Sequence, residues 1–433
     1  ITQFKRGILM KKVSLQKRWL GVLALLIIVI IAYIDRINVS VLITNNDFLT
    51  TFELHDDRIL QGQLMTIFLI GYGLSAFFIT PIFETFLGYR RGLIFSILLW
   101  AIFTAISPLA GSIFILLIFR AILGGSEGPL FSLKTMYINE HFNSHERGKP
   151  NAVSSMGVSI GLSIGFPIIT FLIYQFSWVS SFYILSALNI LIGLPLVLFF
   201  IQPSNHHQNK GKKSVKQLTN TFTTALKTPG LIWVLIIEVA TLSYLWGSSS
   251  WLPAYLLDEK GFSIKQMGIV SSLPFIFSVL SKFLGGYIID RIANKNMTMI
   301  FFVGGLATAL SIILTITSNN IIIIILGLIL ANGFWGIQGA AIPTLVQHLS
   351  DPTSVGSTYG IINGLGNFIS AFIPAIMGYI ITLNGNDNIS SGFYVLIGTQ
   401  LVIAICGLLF TKTKHVAVLE HNMTNSIATK TSH

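Results

Sequence analysis

Charge is what this sequence has least of. Only 10% of its 433 residues are Asp, Glu, Lys or Arg, while 53% are hydrophobic; ordinary soluble domains carry about 25% charged residues. A soluble core cannot hide that much apolar side chain, so a soluble globular protein is excluded. Cysteine is nearly missing too: Cys406 stands alone in the last apolar run, and no disulfide can form within the chain. There is no glycine-rich phosphate loop, which disfavours an ATP-driven pump, and no metal-spaced His/Cys cluster inside the apolar runs. His206 and His207 are adjacent but lack further ligands, and read as solvated loop. Neither metal nor cofactor is expected, and a membrane-embedded enzyme has no chemistry to stand on.

What the chain does have is long apolar runs, each close to the ~20 residues that cross the hydrocarbon as helix. Twelve are read, at 19–43, 60–82, 92–108, 112–136, 152–174, 178–201, 231–257, 266–289, 297–317, 320–347, 355–382 and 391–411. Solid apolar blocks such as Leu23 to Ile31 and Ile321 to Ile325 lack the in-out alternation of barrel strands. The first run continues through Tyr33, Asp35 and Arg36 with no small-residue cleavage pattern, so it is a span and not a signal peptide. Met10-Lys11-Lys12 has the look of a natural start, and residues 1–9 are expected to play no structural part.

A net charge of +11 in a soluble protein would suggest nucleic acid, so the placement of the 27 Lys and Arg residues decides. With the amino terminus inside, cytoplasmic segments hold twenty of them and the opposite side only Arg58, Lys260 and Lys265. That asymmetry is the positive-inside signature with both termini cytoplasmic. The expected location is therefore a cell membrane, of the bacterial inner-membrane kind, with lipids and not nucleic acid as surroundings.

One long polar interruption, 202–230, carries Pro203 and a lysine cluster and has six spans on either side. The expected organisation is a cytoplasmic tail (1–18), a six-helix half (19–201), a cytoplasmic linker (202–230), a second six-helix half (231–411) and a tail (412–433). The halves echo one another. Gly125 and Gly339 are each followed four residues later by proline (Pro129, Pro343), and Gly157 and Gly364 each ten later (Pro167, Pro374). The proline pairs are 214 and 207 apart, and Glu84 and Asp290, which end spans 2 and 8, are 206 apart. Offsets that similar suggest one six-helix unit used twice in the same orientation, the parallel repeat of some secondary transporters.

A charged side chain at mid-membrane costs about 2.5 to 3.5 kcal/mol on insertion scales, so each needs a partner or a water-filled cavity. Span 1 carries Asp35 and Arg36; span 4 carries Arg120 and Glu127, two turns apart on one face. Arginine stays protonated and offers a planar fork suited to a carboxylate, which makes Arg36 the candidate for an anionic substrate. Buried carboxylates that take up and release protons make Asp35 and Glu127 the candidates for coupling, with Arg120 as the positive partner that tunes them. A buried salt bridge between spans 1 and 4, as of Asp35 with Arg120, is the structural alternative. Lys282 in span 8 either snorkels to the cytoplasmic face or contacts ligand. Glu238 lies close to the cytoplasmic end of span 7 and reads as interfacial. Tyr72, Tyr244, Trp246, Ser249, Trp335, Gln338, Asn363 and Asn367 are candidates for the other wall of a central site.

The motifs resemble the anion:cation symporter branch of the major facilitator superfamily, over nearly the whole chain. The marks are Tyr33-Ile-Asp35-Arg36-Ile-Asn38-Val-Ser40, Arg120 through Gly124-Gly-Ser-Glu127-Gly-Pro129-Leu-Phe131, Glu146-Arg147, Trp251-Leu-Pro253-Ala-Tyr255-Leu256 and Ser272-Leu-Pro274-Phe275. The resemblance implies the all-α major facilitator fold, twelve transmembrane helices in two six-helix halves. It also implies a monomeric symporter in which Asp35 and Glu127 carry protons while Arg36, beside Tyr33, meets the substrate carboxylate. In galactonate-type carriers a span 4 Arg, a span 2 Tyr and a span 11 Asn join the site, matching Arg120, Tyr72 and Asn367 or Asn363. Two of their polar positions align with Val158 and Ile342 here, which argues against galactonate itself. The cytoplasmic latch motif of the superfamily is degenerate at Glu84, Arg90 and Arg91 and intact in its second copy, Asp290-Arg291. The reading is a proton-coupled symporter that takes up a small organic anion such as a sugar acid. An exporter of the same fold, or sodium in place of the proton, stays open.

Overall fold

A computed structural model of the chain describes residues 2–55, 57–83, 87–142, 148–203, 222–291, 298–350, 355–385 and 387–411. Among these, twelve helices are long and apolar enough to cross a membrane: α1 (Lys17–Leu42), α2 (Arg58–Thr80), α3 (Gly88–Leu109), α4 (Ile113–Ile138), α5 (Val153–Gln175), α6 (Trp178–Phe200), α7 (Leu231–Glu259), α8 (Ile264–Gly285), α9 (Met299–Thr317), α10 (Ile321–Gly339), α11 (Thr358–Leu383) and α12 (Ser390–Thr411). Each expected span overlaps one of them. Hydrocarbon offers no hydrogen bonds, so a spanning backbone must satisfy its own N–H and C=O groups, and the helix does so within one segment. Six helices precede residues 204–221 and six follow; most of the expected linker lies outside the described residues. The backbone helix that contains α1 begins at Thr2, so residues 2–9, expected to carry no structure, continue that helix.

Helix starts on the side poor in lysine and arginine are capped by short polar side chains. Asp57 Oδ1 accepts from the Leu60 amide at 2.9 Å at the start of α2, Ser177 from Ser180 at 3.2 Å before α6, and Asn320 from Ile322 at 2.9 Å before α10. Each satisfies an amide that the first turn leaves without a partner. Large apolar side chains face outward, Phe199 79% and Phe283 74% exposed, as suits a surface bathed in lipid.

Glycine sets two of the closest helix contacts. A Cβ on Gly124 of α4 would run into the Phe68 carbonyl of α2, and one on Gly161 of α5 into the Ile30 carbonyl and the Tyr33 side chain of α1. Small residues at such crossings let backbones touch, the main means of packing helices in lipid. These two contacts bring α4 to α2 and α5 to α1 at the level of Tyr33, Arg36 and Glu127.

Proline acts differently in the two six-helix sets. The α4 helix stops at Glu127 and resumes at Leu130 around Pro129, and α11 stops at Ser370 and resumes at Ile373 around Pro374. Proline has no N–H for the carbonyl four residues earlier. At the α4 break that carbonyl, Gly125 O, accepts instead from the Ser75 hydroxyl of α2. Beside the α11 break, Thr66 Oγ1 of α2 accepts from the Ala375 amide at 3.2 Å and Pro374 O accepts from Trp251 Nε1 at 2.9 Å. The partner prolines of the repeat sit in continuous helices, Gly148–Gln175 for Pro167 and Ile321–Leu349 for Pro343. The sequence repeat is therefore not a repeat of helix breaks.

The two six-helix sets meet closely at the outer ends of α2, α7 and α11. Arg58 Nη2 lies 3.1 Å from Asp258 Oδ2, and a Cβ on Gly62 or Gly378 would strike the opposing backbone of Pro374 or Arg58. Between α5 and α8, Phe166 stacks on Phe275 at 5.8 Å and Ser278 Oγ donates to Ser159 Oγ at 3.0 Å.

The Gly124 contact makes a sharp prediction. Gly124→Ala pushes a methyl group into the Phe68 carbonyl and should cost about 1–3 kcal/mol. Gly125→Ala, whose Cβ meets only Gly71 O at 3.9 Å, should be near neutral. Thermal melting of the two purified variants checks this; equal melting temperatures would refute the close crossing.

Candidate functional site

Consecutive residues on a helix point about 100° apart, and this divides the neighbours Asp35 and Arg36. Asp35 turns toward α3, where its Oδ2 accepts from Trp100 Nε1 at 2.5 Å and from Thr104 Oγ1 at 2.9 Å. Arg36 turns the other way, toward α2, α4 and α7, on the side of Tyr33 three residues earlier. Its Nε donates to Glu127 Oε2 at 2.7 Å, with both side chains fully buried. The carboxylate that pairs with Arg36 is thus 91 positions away, at the lip of the Pro129 break.

Aromatic rings surround the guanidinium. Its Cζ lies 4.4 Å from the centre of Tyr33, 4.6 Å from Tyr72, and 5.6 Å from both Phe68 and Trp246. Such faces attract a cation, with greater effect where water is excluded. Among the described residues, the terminal amino groups Nη1 and Nη2, like Glu127 Oε1, are buried and have no hydrogen-bond partner. The site therefore holds one half of a bidentate fork engaged and the other half unused, the donor pattern that receives a carboxylate.

Arg120, expected as the positive partner of the carboxylates, lies near them but makes no salt bridge with either. Its Nε donates to Leu64 O at 3.2 Å and its Cζ lies 4.6 Å from Phe68, so Phe68 stands against both arginines. The alternative of an Asp35–Arg120 salt bridge is not what forms: the hydrogen-bond donors at Asp35 are the indole and the hydroxyl of α3.

From the second set of helices, Trp246 of α7 stacks on Tyr33, centroids 6.0 Å apart and rings 15° from parallel. Its Nε1 donates to Asn367 Oδ1 at 3.0 Å, Asn367 Nδ2 donates to Asn363 O at 2.9 Å, and Asn363 Nδ2 reaches Glu238 Oε1 at 3.4 Å. This chain of polar contacts runs from the arginine cage to Glu238. The interfacial reading of Glu238 is corrected: it is 6% exposed, seated against α11 where Gly366 leaves room for its Cγ. Gln338 is corrected as well. It donates to Thr308 Oγ1 at 3.1 Å, toward α9 and away from Trp246. Tyr244 accepts from Asn332 Nδ2 at 2.9 Å and Trp335 Nε1 donates to Thr241 O at 3.0 Å, so both have partners within their own set of helices.

Lys282 does not snorkel. Its Nζ donates to Ser159 Oγ of α5 at 2.7 Å and lies 5.1 Å from the centre of Trp335. Val158 and Ile342 are buried apolar positions. Of the residues expected to take part in gating, Arg90 Nη2 donates to Leu198 O at 2.7 Å and Arg91 is exposed. Glu84 and the side chains of Asp290 and Arg291 lie outside the described residues. Sequence reasoning missed Trp100, Thr104, Phe68 and Ser75, because nothing in local spacing marks a residue that acts by touching another helix.

Breaking a buried ion pair by removing one partner strands the other charge, at about 3–5 kcal/mol, while removing both charges is often near neutral. Arg36→Met should therefore destabilise strongly, and adding Glu127→Gln should restore most of the loss. Thermal melting of the two single variants and the double checks the pair; additive losses would mean that the two side chains are not coupled.

Residues 24–375 match the family model described as Major Facilitator Superfamily. The chain is 25% identical over 361 residues to a hexuronate transporter of Bacillus subtilis (strain 168), covering 79% of this chain and 83% of that protein. It is 26% identical over 434 residues to a probable galactarate/D-glucarate transporter of the same organism, covering 92% of each. Among solved structures it is similar to a bacterial homolog of the human lysosomal transporter Spinster in an inward-facing, unoccupied conformation, with TM-score 0.70, 19% identity, and 94% and 98% of the two chains covered. Twelve membrane helices, charges buried at their centre and a family match over most of the length converge: this chain belongs to the Major Facilitator Superfamily, as a multi-pass membrane transporter and not an enzyme.

Proposed function

We propose that the chain is a proton-coupled symporter that takes up a small organic anion of the sugar-acid type. The observation that carries this reading is the half-used fork of Arg36, paired through Nε with Glu127 while Nη1 and Nη2 have no partner. Relatives named for hexuronate and for galactarate/D-glucarate support the substrate class.

The coupling follows from what one arginine can hold. An incoming carboxylate fits the free amino groups bidentately and competes with Glu127 for the same cation. Once displaced, an ionised Glu127 would be a buried charge without its partner, at a cost of several kcal/mol that a proton removes. Substrate and proton therefore favour each other's binding, and linkage requires the effect to be reciprocal. Asp35, held by Trp100 and Thr104 on the α3 side of the same helix turn, is the second acid in the path, with Arg120 as the positive charge beside it. Tyr33, Tyr72, Asn363 and Asn367 shape the cage. Alternating access rocks the two six-helix halves, with Arg58 and Asp258 meeting on the outer side and Arg90, Arg91 and Asp290-Arg291 belonging to the cytoplasmic latch.

The test is a proton-flux assay on the purified chain in liposomes. A sugar acid should acidify the interior of the vesicles, and Glu127→Gln should lower proton-driven accumulation at least tenfold while leaving counterflow exchange. Accumulation that follows a sodium gradient, or none across sugar acids and other carboxylates with the protein folded and inserted, would sink proton-coupled uptake.

A further inference from the structure

Two lysines within the helix bundle, Lys134 buried and Lys282 half-buried, play no part in that mechanism as derived. Lys134 lies seven residues beyond Glu127 on α4, past the Pro129 break and toward the cytoplasm, a rise of about 10 Å at 1.5 Å per residue. It is 3% exposed, its Nζ donates to Ser155 Oγ of α5 at 2.9 Å, and it lies 4.6 Å from the centre of Phe131. Lys282 comes from α8, in the other set of six helices, and donates to Ser159 Oγ at 2.7 Å. Ser155 and Ser159 are one turn apart, so their hydroxyls share a face of α5. Two ammonium groups thus converge from opposite halves on neighbouring hydroxyls.

What they converge on is neutral. Among the described residues neither lysine has a carboxylate within ion-pairing distance. Glu238, the buried acid of α7, is engaged with Asn363. Two ammonium groups set one helix turn apart on hydroxyls and aromatic faces, one of them buried and the other half-buried, are costly to keep without a counter-charge, and their four-carbon stems leave both heads able to swing. A second anionic group, carried in by a substrate whose first is on Arg36, would neutralise them. The rise from Glu127, the partner of Arg36, to Lys134 is about 10 Å, which a six-carbon chain and two lysine stems can span between them.

We propose that Lys134 and Lys282, mounted on Ser155 and Ser159, form a second anion subsite that takes the distal charged group of a dianionic acid. The chain thereby selects diacids over monoacids of the same skeleton. The inference rests on the reading of Arg36 as the receptor for the first carboxylate. A ligand held at both ends also ties the first six helices to the last six, since Arg36 and Lys134 belong to one set and Lys282 to the other.

D-Gluconate and D-glucarate share a six-carbon skeleton and differ in whether the far end is a hydroxymethyl or a carboxylate, so equilibrium binding of both to the purified full chain is the test. The wild type should bind glucarate at least tenfold more tightly than gluconate. Lys134→Gln and Lys282→Gln should each erase most of that preference while leaving gluconate within twofold, and Lys282→Arg should restore it. Gluconate binding without a preference for glucarate, or lysine variants that weaken both acids alike, would overturn the second subsite while leaving the Arg36 reading in place. Binding of neither acid removes both.

Discussion

The ion pair between Arg36 and Glu127 is the interaction on which the rest of the central architecture depends. Each charge alone would cost about 2.5 to 3.5 kcal/mol to insert at the middle of a membrane helix. At 2.7 Å and fully buried, each is the other's main compensation. Keeping them together places demands on three helices. The α4 backbone must come close enough to α2 that position 124 carries no side chain, Pro129 must interrupt α4 next to Glu127, and the Ser75 hydroxyl must take up the carbonyl that the interruption frees. The aromatic faces of Tyr33, Tyr72, Phe68 and Trp246 then exclude water from a cation that still has two amino groups unused.

An ion pair with unused donors and an unused acceptor differs from a fully satisfied network. Complete hydrogen bonding would make the pair a rigid strut. The unpartnered Nη1, Nη2 and Glu127 Oε1 leave the site dependent on whatever binds next, and buried polar groups without partners carry a free-energy cost that a ligand can relieve. Asp35 is more fully held, by two donors from α3, so the two acids of the first half occupy unlike surroundings although one is the chain neighbour and the other the ion-pair partner of the same arginine.

Contacts between the two sets of six helices are of two chemical kinds. At the outer ends of α2 and α11 they are backbone against glycine, with the Arg58–Asp258 pair beside them. Nearer the centre they are side chains: Trp246 on Tyr33, and Lys282 and Ser278 on Ser159. Through Asn367 and Asn363 the indole of Trp246 reaches Glu238, so hydrogen bonds link the aromatic cage of Arg36 to the buried acid of the second set.

Span number and the identity of the buried charges were legible in the sequence, because each follows from transfer of a local segment between water and lipid. Twelve hydrophobic stretches insert wherever they lie, and a charge inside a stretch declares itself by its cost. What the sequence could not decide was which charge meets which. Asp35 is Arg36's neighbour in the chain, yet Glu127 is its partner; Glu238 reads as interfacial, yet it is buried; Gln338 reads as central, yet it faces α9. The proline repeat is plain in the sequence, but only Pro129 and Pro374 break their helices, beside the hydroxyls of Ser75 and Thr66. These outcomes depend on how each helix is rotated about its own axis. That rotation is set by packing between helices, by the few positions such as Gly124 and Gly161 where backbones touch, and so it belongs to the tertiary structure alone.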